Sequence, residues 1–222
     1  MPDNAPTIAE QVVTLQEGMA AQAPAEILGA FGAEQTGLAT AGVPAGVATA
    51  GALMPDGDLL DARGQATTLA RARDGRPAVV VFYRGAWCPY CNLALRTYQQ
   101  QLLPALSERD VALIAVSPQK PDGSLTMQEP NELTYTVLSD PGNQIATGLG
   151  ILTAPSEDAG KAQAALGLNV AAGNADATNF LPMPTVVLVD RAGVITWIDV
   201  HPDYSTRTEI ADILDAVATT IG

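Results

Sequence analysis

The chain has 222 residues, of which 24 are acidic and 11 are basic, so its formal net charge is −13. A chain of this length can bury one substantial hydrophobic core. Its two cysteines and one histidine exclude a disulfide scaffold, and they are too few for a structural zinc site within one chain. The acidic surplus argues against nucleic acid or an anionic membrane as the partner, because both attract cationic surfaces.

The N-terminus carries neither a basic stretch nor a continuous apolar stretch. We therefore expect no signal peptide and a cytoplasmic location. Residues 35–55 carry no charge, but glycine and proline interrupt them repeatedly. This composition predicts a loop or connector and not a membrane span.

Two helices are expected ahead of this connector. The first is indicated by four apolar side chains at helical spacing, namely Ile8, Val12, Leu15 and Met19. Pro24 suits the first turn of a second, short helix. We expect residues 1–51 to form an N-terminal helical extension and linker that docks on a main domain of residues 52–222.

The strongest local pattern of the main domain is the β-branched run of residues 78–83, which predicts a strand covered on both faces. Helical spacing over residues 89–106 and a second buried strand over residues 111–116 complete a βαβ unit.

Weaker patterns follow this unit along the chain. They predict a strand at 134–138, a helix at 143–149, an insertion at 151–181, a hairpin of strands 185–189 and 194–200, and a final helix at 206–219. This order predicts an α/β fold with a mixed central sheet flanked by helices.

Both cysteines lie in one C-x-x-C, within Trp87-Cys88-Pro89-Tyr90-Cys91, where the buried strand gives way to a helix. A helix N-terminus favours a thiolate, and two intervening residues let the second thiol reach the first sulfur. The pattern predicts a redox-active dithiol. Half of a soft-metal site and a pair of inert buried thiols are the alternatives.

Three sequence neighbours of the dithiol and the single histidine are considered for supporting roles. Arg84, four residues before Cys88, can lower the thiol pKa with its charge or can be an ordinary surface arginine. Trp87 is expected to shield the dithiol, and Tyr90 to form contact surface. His201 is interpreted as a surface or loop histidine, with completion of a soft-metal site as its alternative.

The segment Phe-Tyr-Arg-Gly-Ala-Trp-Cys-Pro-Tyr-Cys of residues 82–91 resembles the active-site segment of the peroxiredoxin-like branch of the alkyl hydroperoxide reductase/thiol-specific antioxidant (AhpC/TSA) family. Residues 116–119 (VSPQ), 138–143 (LSDPGN) and 201–207 (HPDYSTR) resemble the same branch. The W-C-x-x-C is also thioredoxin-like, and C-P-Y-C is the glutaredoxin tetrad. The resemblance spans about residues 52–218 and implies a thioredoxin fold.

The resemblance has departures at the site itself. Typical peroxiredoxins carry P-x-x-x-T-x-x-C, whereas this chain has Val81 and Gly85 at the proline and threonine positions. At the start of the late strand, where those proteins have an arginine, stands Met183-Pro184-Thr185. This tripeptide resembles the cis-proline segment that faces a thioredoxin dithiol. Thioredoxin's buried aspartate is replaced by Phe82.

The resemblance and the dithiol together imply a thiol-dependent peroxidase of antioxidant type. In this hypothesis Cys88 attacks a hydroperoxide, Cys91 resolves the product to a disulfide, and an external reductant of thioredoxin or glutathione type regenerates the pair. Supporting residues are Arg84, Trp87, Pro184 and Thr185. The alternatives are a thioredoxin-like protein disulfide reductase, a soft-metal-binding protein and a redox-insensitive scaffold. No cofactor or bound metal is needed, and a homodimer is compatible with the sequence.

Overall fold

A computed structural model, which describes residues 5–121 and 133–220, places the β-branched run at the centre of a sheet. The strands are β1 (Leu59–Asp61), β2 (Ala66–Thr67), β3 (Ala78–Phe82), β4 (Ala112–Ser117), β5 (Thr136–Ser139), β6 (Leu152–Thr153), β7 (Leu181–Pro182), β8 (Thr185–Val189) and β9 (Ile195–Val200). Seven of them, among the described residues, form one sheet in the order β2-β1-β5-β4-β3-β8-β9, while β6 pairs with β7.

The pairing directions confirm the predicted mixed sheet. Strand β3 runs parallel to β4, which runs parallel to β5. On the other side β3 pairs antiparallel with β8, and β8 pairs antiparallel with β9. Every residue of β3 and β4 is buried, as expected for strands with helices on both faces.

Helices cover the two faces of this sheet. They are α1 (Ile8–Ala20), α2 (Ala25–Ala41), α3 (Leu69–Arg73), α4 (Pro89–Thr97), α5 (Leu103–Ser107), α6 (Gln144–Leu149), α7 (Glu157–Ala165), α8 (Val170–Gly173) and α9 (Ile210–Thr220). A π-helical turn (Tyr98–Leu102) joins α4 to α5. Alternate residues of β3 point to opposite faces, so Val79 and Val81 enter one core with α1, α4 and α9. Val80 and Phe82 enter the second core with α3 and α6.

The predicted βαβ unit and late hairpin are confirmed, whereas two helix boundaries and the content of the insertion differ from expectation. Helix α2 runs to Ala41 and ends at Gly42, whose φ is 70°, because the uncharged stretch begins with alanine-rich sequence that favours a helix. The 151–181 insertion contains α7 and α8. The final helix begins at Ile210, because the residues just before it form the loop that reaches the dithiol.

The motif at residues 138–143 has a structural role in this fold. The Asp140 carboxylate accepts hydrogen bonds from the backbone N–H groups of Gln144 and Ile145, at 2.8 and 3.0 Å. It therefore caps the first turn of α6. Burial raises the pKa of Asp140, although these hydrogen bonds act in the opposite direction.

The first two helices are held against the rest of the molecule by buried apolar contacts and by hydrogen bonds to carboxylate groups. Ile8 and Val12 lie in the core that also contains the dithiol. The Glu209 carboxylate accepts hydrogen bonds from the Ile8 and Ala9 backbone at 2.9 and 2.8 Å. In α2, the buried Glu34 accepts one from the Ser156 N–H, at the start of α7, at 2.6 Å. Within the described residues, no helix combines the length and apolar character needed to cross a membrane.

Candidate redox-active site

The dithiol lies at the first turn of α4, where the sequence predicts it. Cys88 is the N-cap residue and Pro89 the first helical residue. The Cys88 carbonyl accepts hydrogen bonds from the backbone N–H groups of Cys91 and Asn92, both at 3.1 Å. Both cysteines are free thiols and both are buried, at 1% and 0% exposed. Cys88 lines an open cleft, so a small reactant can approach it from that side.

Cys91 receives several hydrogen bonds that favour a negative charge. The guanidinium of Arg207 donates from Nη2 to Cys91 Sγ at 3.1 Å, and the Arg84 backbone N–H and the Cys88 thiol also donate to it. Burial by itself raises the pKa of Cys91, but the Cys88 hydrogen bond and the two arginines outweigh it and hold this pKa well below its usual range. Burial, together with the neighbouring Cys91 charge, raises the pKa of Cys88. The pair is therefore built to carry one negative charge and one proton.

The loop that carries Arg207 is held by a polar network that is buried at Tyr98 and partly buried at Asp199 and His201. Tyr98, in the π-helical turn, donates its hydroxyl to the Thr208 carbonyl at 2.7 Å. The Asp199 carboxylate accepts from the Thr208 hydroxyl at 2.8 Å and contacts His201 Nε2 at 2.9 Å. The hydrogen bond to His201 is the largest influence that lowers the pKa of Asp199. His201 thus belongs to this supporting loop.

Arg84 is buried beside the dithiol and is not a surface arginine, since only 5% of it is exposed. Its guanidinium carbon lies 3.8 Å from the ring centroid of Tyr204 and 5.2 Å from that of Trp87. Contacts of this kind hold an arginine by cation–π attraction. Arg84, Trp87 and Tyr204, together with Tyr90, line the same cleft as Cys88. The catalytic role of Arg84 stays a prediction.

The backbone just before Cys88 requires a glycine at position 85, where typical peroxiredoxins have threonine. Gly85 has a φ of 152°, and a Cβ there would lie 2.5 Å from Trp87 Nε1, so a larger residue cannot fit without movement. Two side chains fix the next residue. Gln119 accepts from the Ala86 N–H at 2.7 Å, and Asn92 donates to the Ala86 carbonyl at 2.8 Å.

The cis geometry that the thioredoxin resemblance implies for Pro184 is not observed, while the supporting role of Pro184 and Thr185 stays a prediction. The structure has no cis peptide bond among the described residues, so the Met183–Pro184 bond is trans, unlike the thioredoxin segment that it resembles. The Pro184 carbonyl accepts a hydrogen bond from the His201 N–H at 2.8 Å, and the Thr185 hydroxyl donates to the Met183 carbonyl at 2.9 Å. The first of these hydrogen bonds continues the pairing of β8 with β9, and the second is local to the tripeptide.

Sequence reasoning missed four residues of the site: Gln119, Asn92, Tyr204 and Arg207. Three of them lie in the motifs at residues 116–119 and 201–207, so these motifs had identified two segments that contribute to the site. Spacing along the chain gives no distance between segments about a hundred residues apart, so the contact between Arg207 and Cys91 could not be predicted.

Comparison with known proteins shows which family this sequence matches. The family model for the AhpC/TSA family matches residues 50–198. The curated protein named "Putative peroxiredoxin Rv2521" from Mycobacterium tuberculosis (strain H37Rv) is 31% identical over 102 residues, which is 46% of this chain and 64% of that protein. The chain thus matches less than two thirds of the length of this relative.

Solved structures show the same fold at low identity. A peroxidoxin, BcpB, from Mycobacterium tuberculosis superposes with a TM-score of 0.58 at 17% identity, covering 78% of this chain and 96% of that one. AhpC from the same organism gives 0.59 at 14% identity, covering 79% and 99%.

The chain therefore has a thioredoxin fold with an N-terminal helical extension. It belongs to the AhpC/TSA family, whose model matches more than half of its length.

Proposed function

We propose that this protein is a thiol-dependent peroxidase that reduces hydroperoxides through the Cys88–Cys91 dithiol. The observation that carries the proposal is a Cys88 thiol on an open cleft, hydrogen-bonded to a Cys91 sulfur that Arg207 contacts at 3.1 Å. A thiolate is the nucleophile in peroxide reduction, and this arrangement supplies one negative charge beside the cleft.

The proton shared by the two sulfurs allows Cys88 to act first. Transfer of that proton to Cys91 leaves Cys88 as the thiolate at the cleft. Cys88 then attacks the terminal oxygen of the hydroperoxide, the O–O bond breaks, and Cys88 becomes a sulfenic acid. The departing RO⁻ takes the proton back from Cys91 and leaves as the alcohol.

The second step closes the disulfide. The Cys91 thiolate attacks the Cys88 sulfur and expels hydroxide, which takes a proton from solvent to become water. A thiol of an external reductant, of thioredoxin or glutathione type, then attacks the Cys88 sulfur, and Cys91 leaves as a thiolate stabilised by Arg207. A second thiol of the reductant attacks the reductant sulfur of this mixed disulfide, so that the reductant leaves as a disulfide and Cys88 leaves as a thiolate that takes up a proton. This cycle needs no cofactor, and its dependence on a cellular dithiol fits the proposed cytoplasmic location.

A protein disulfide reductase is the second candidate, because the W-C-x-x-C chemistry supports it. One observation favours the peroxidase. The Pro184 carbonyl is engaged by the His201 N–H, so it is not free to bind the backbone of a disulfide substrate. A soft-metal site is disfavoured by the two guanidinium groups next to the dithiol, since they repel a metal cation.

Single-turnover kinetics on the reduced protein test the proposal. We expect wild type to consume one hydrogen peroxide per dithiol with loss of both thiols. Cys88→Ser should consume none, and Cys91→Ser should stop at a sulfenic acid that dimedone traps. Insulin reduction by wild type without peroxide consumption would instead establish the disulfide reductase. Stoichiometric copper or iron after purification under reducing conditions would favour the metal-binding alternative.

A further inference from the structure

Arg84 is a buried cation that has no carboxylate in direct contact. Only 5% of it is exposed, and it takes part in none of the ion pairs that the described residues form. Its Nε atom is buried and has no hydrogen-bond partner among the same residues. A buried charge is costly unless an opposite charge lies near it. The reduced dithiol supplies one such charge, since Arg84 is one of the two arginines that lower the pKa of Cys91.

Oxidation of the dithiol removes this negative charge. A Cys88–Cys91 disulfide is neutral, so other groups must then compensate the two arginines. Arg207 has such a group, because its Nη1 also donates to the Tyr204 carbonyl at 2.6 Å. Arg84 lies against the face of the Tyr204 ring instead, with its guanidinium carbon 3.8 Å from the ring centroid. In the oxidised protein Arg84 therefore depends on a nearby anion more than Arg207 does.

Helix α2 places a buried carboxylate beside the hydroxyl of Tyr204. Glu34 is 8% exposed, and its Oε1 accepts a hydrogen bond from the Ser156 N–H at 2.6 Å. Its Oε2 and the Tyr204 hydroxyl are both buried and form no hydrogen bond of regular geometry within the part of the chain described. Burial raises the pKa of Tyr204, and the charge of the neighbouring Glu34 carboxylate raises it further. Tyr204 therefore contacts Arg84 with its ring face and has the Glu34 carboxylate beside its hydroxyl.

We propose that Glu34 is the counter-charge of Arg84 and that, as a positioning residue acting on the thiols through Arg84, it sets the redox equilibrium of the dithiol. Its negative charge stabilises the oxidised form, in which Arg84 has lost the thiolate. In the reduced form the same charge opposes the Cys91 thiolate. The inference rests on the disulfide step of the proposed function and not on which substrate oxidises the dithiol. Since Glu34 belongs to α2, the N-terminal extension takes part in the chemistry of the site.

Glu34→Gln isolates the charge, because glutamine has the same shape and keeps a carbonyl oxygen for the Ser156 N–H. Glu26→Gln is the matched control, since Glu26 lies in the same helix, is exposed and loses the same charge. In glutathione buffers, glutathione disulfide oxidises the protein dithiol to the protein disulfide and releases two glutathione thiols. We expect Glu34→Gln to shift this equilibrium about threefold toward the reduced protein, which is less than the effect of a charge in direct contact with the thiols. Glu26→Gln should leave it unchanged.

The reduced protein gives a second measurement that does not require disulfide formation. We expect thiolate absorbance to show that Glu34→Gln lowers the pKa of the first thiol to ionise by about 0.5 units, which corresponds to the threefold shift. A loss of structural support for the arginines would raise this pKa instead. In an Arg84→Gln background, Glu34→Gln should shift the glutathione equilibrium by less than about twofold, because the cation that Glu34 compensates is gone.

Each outcome decides the role of Glu34. An equilibrium in Glu34→Gln equal to that of the control, or shifted toward the oxidised protein, would overturn the inference. Loss of folding in both Glu34→Gln and the double variant would assign Glu34 to stability alone and overturn it as well, whereas folding restored by Arg84→Gln would support charge compensation. A wild-type dithiol that glutathione disulfide does not oxidise would refute the proposed function, and the thiol pKa would still decide whether Glu34 acts on the dithiol.

Discussion

Arg207 should set both the acidity of the dithiol and its redox potential. Its Nη2 donates to Cys91 Sγ at 3.1 Å, and a hydrogen bond to a charged group contributes about 1.5–3 kcal/mol. Loss of that contact in Arg207→Gln should raise the pKa of the first thiol to ionise by about 1–2 units. The same free energy stabilises the reduced pair, so its loss should make the disulfide potential about 30–65 mV more negative.

Two measurements check this prediction directly. Thiolate absorbance at 240 nm as a function of pH gives the pKa, and equilibration with glutathione buffers gives the potential. Arg109→Gln is the matched control, because Arg109 is exposed, lies just beyond the end of α5 and, among its side-chain hydrogen bonds within the described residues, donates only to the Ala105 carbonyl of that helix. A pKa in Arg207→Gln within about 0.3 units of wild type would show that the contact does not stabilise the thiolate.

The pH dependence of stability follows with a definite sign. The pKa of Cys91 is held below its usual range in the folded protein. The Cys91 thiolate therefore contributes its full amount to the free energy of unfolding above the unfolded thiol pKa, about 8.5. It is lost as pH falls through the folded pKa. Urea unfolding of the reduced protein should therefore show a free energy that decreases from pH 8.5 downward, with a shallower slope in Arg207→Gln. An identical slope would contradict the linkage.

Three further predictions concern the supporting structure. Gly85→Ala should destabilise the protein by about 1–3 kcal/mol and slow the reaction of Cys88, because the new Cβ would displace Trp87. Urea unfolding measures the stability and alkylation kinetics measure the reactivity of Cys88. Unchanged values of both would contradict the steric argument. Asp140→Ala should cost about 1–2 kcal/mol in urea unfolding with unchanged peroxide kinetics, since it removes the cap of α6. Glu209→Gln should increase hydrogen exchange in α1, whose first N–H groups it caps; unaltered exchange there would show that the apolar contacts alone fix the helix.

Local patterns predicted most of the elements that build the fold. The run of residues 78–83 predicted a buried strand, because its side chains leave no polar face for water and its length and β-branched valines favour a strand over a helix. The same logic located the second buried strand and the late hairpin. It underestimated α2, since an uncharged stretch gives little periodicity even where alanine favours a helix.

The sequence by itself determined that the two thiols lie together at a helix start, because a two-residue spacing and a strand-to-helix junction are local properties of the chain. The tertiary structure alone decided what surrounds them. Arg207 reaches Cys91, and the first two helices cover Cys88, through packing of segments that are remote in sequence. Spacing along a chain carries no information about such contacts, since burial of apolar faces and pairing of buried charges settle them only when the whole chain folds.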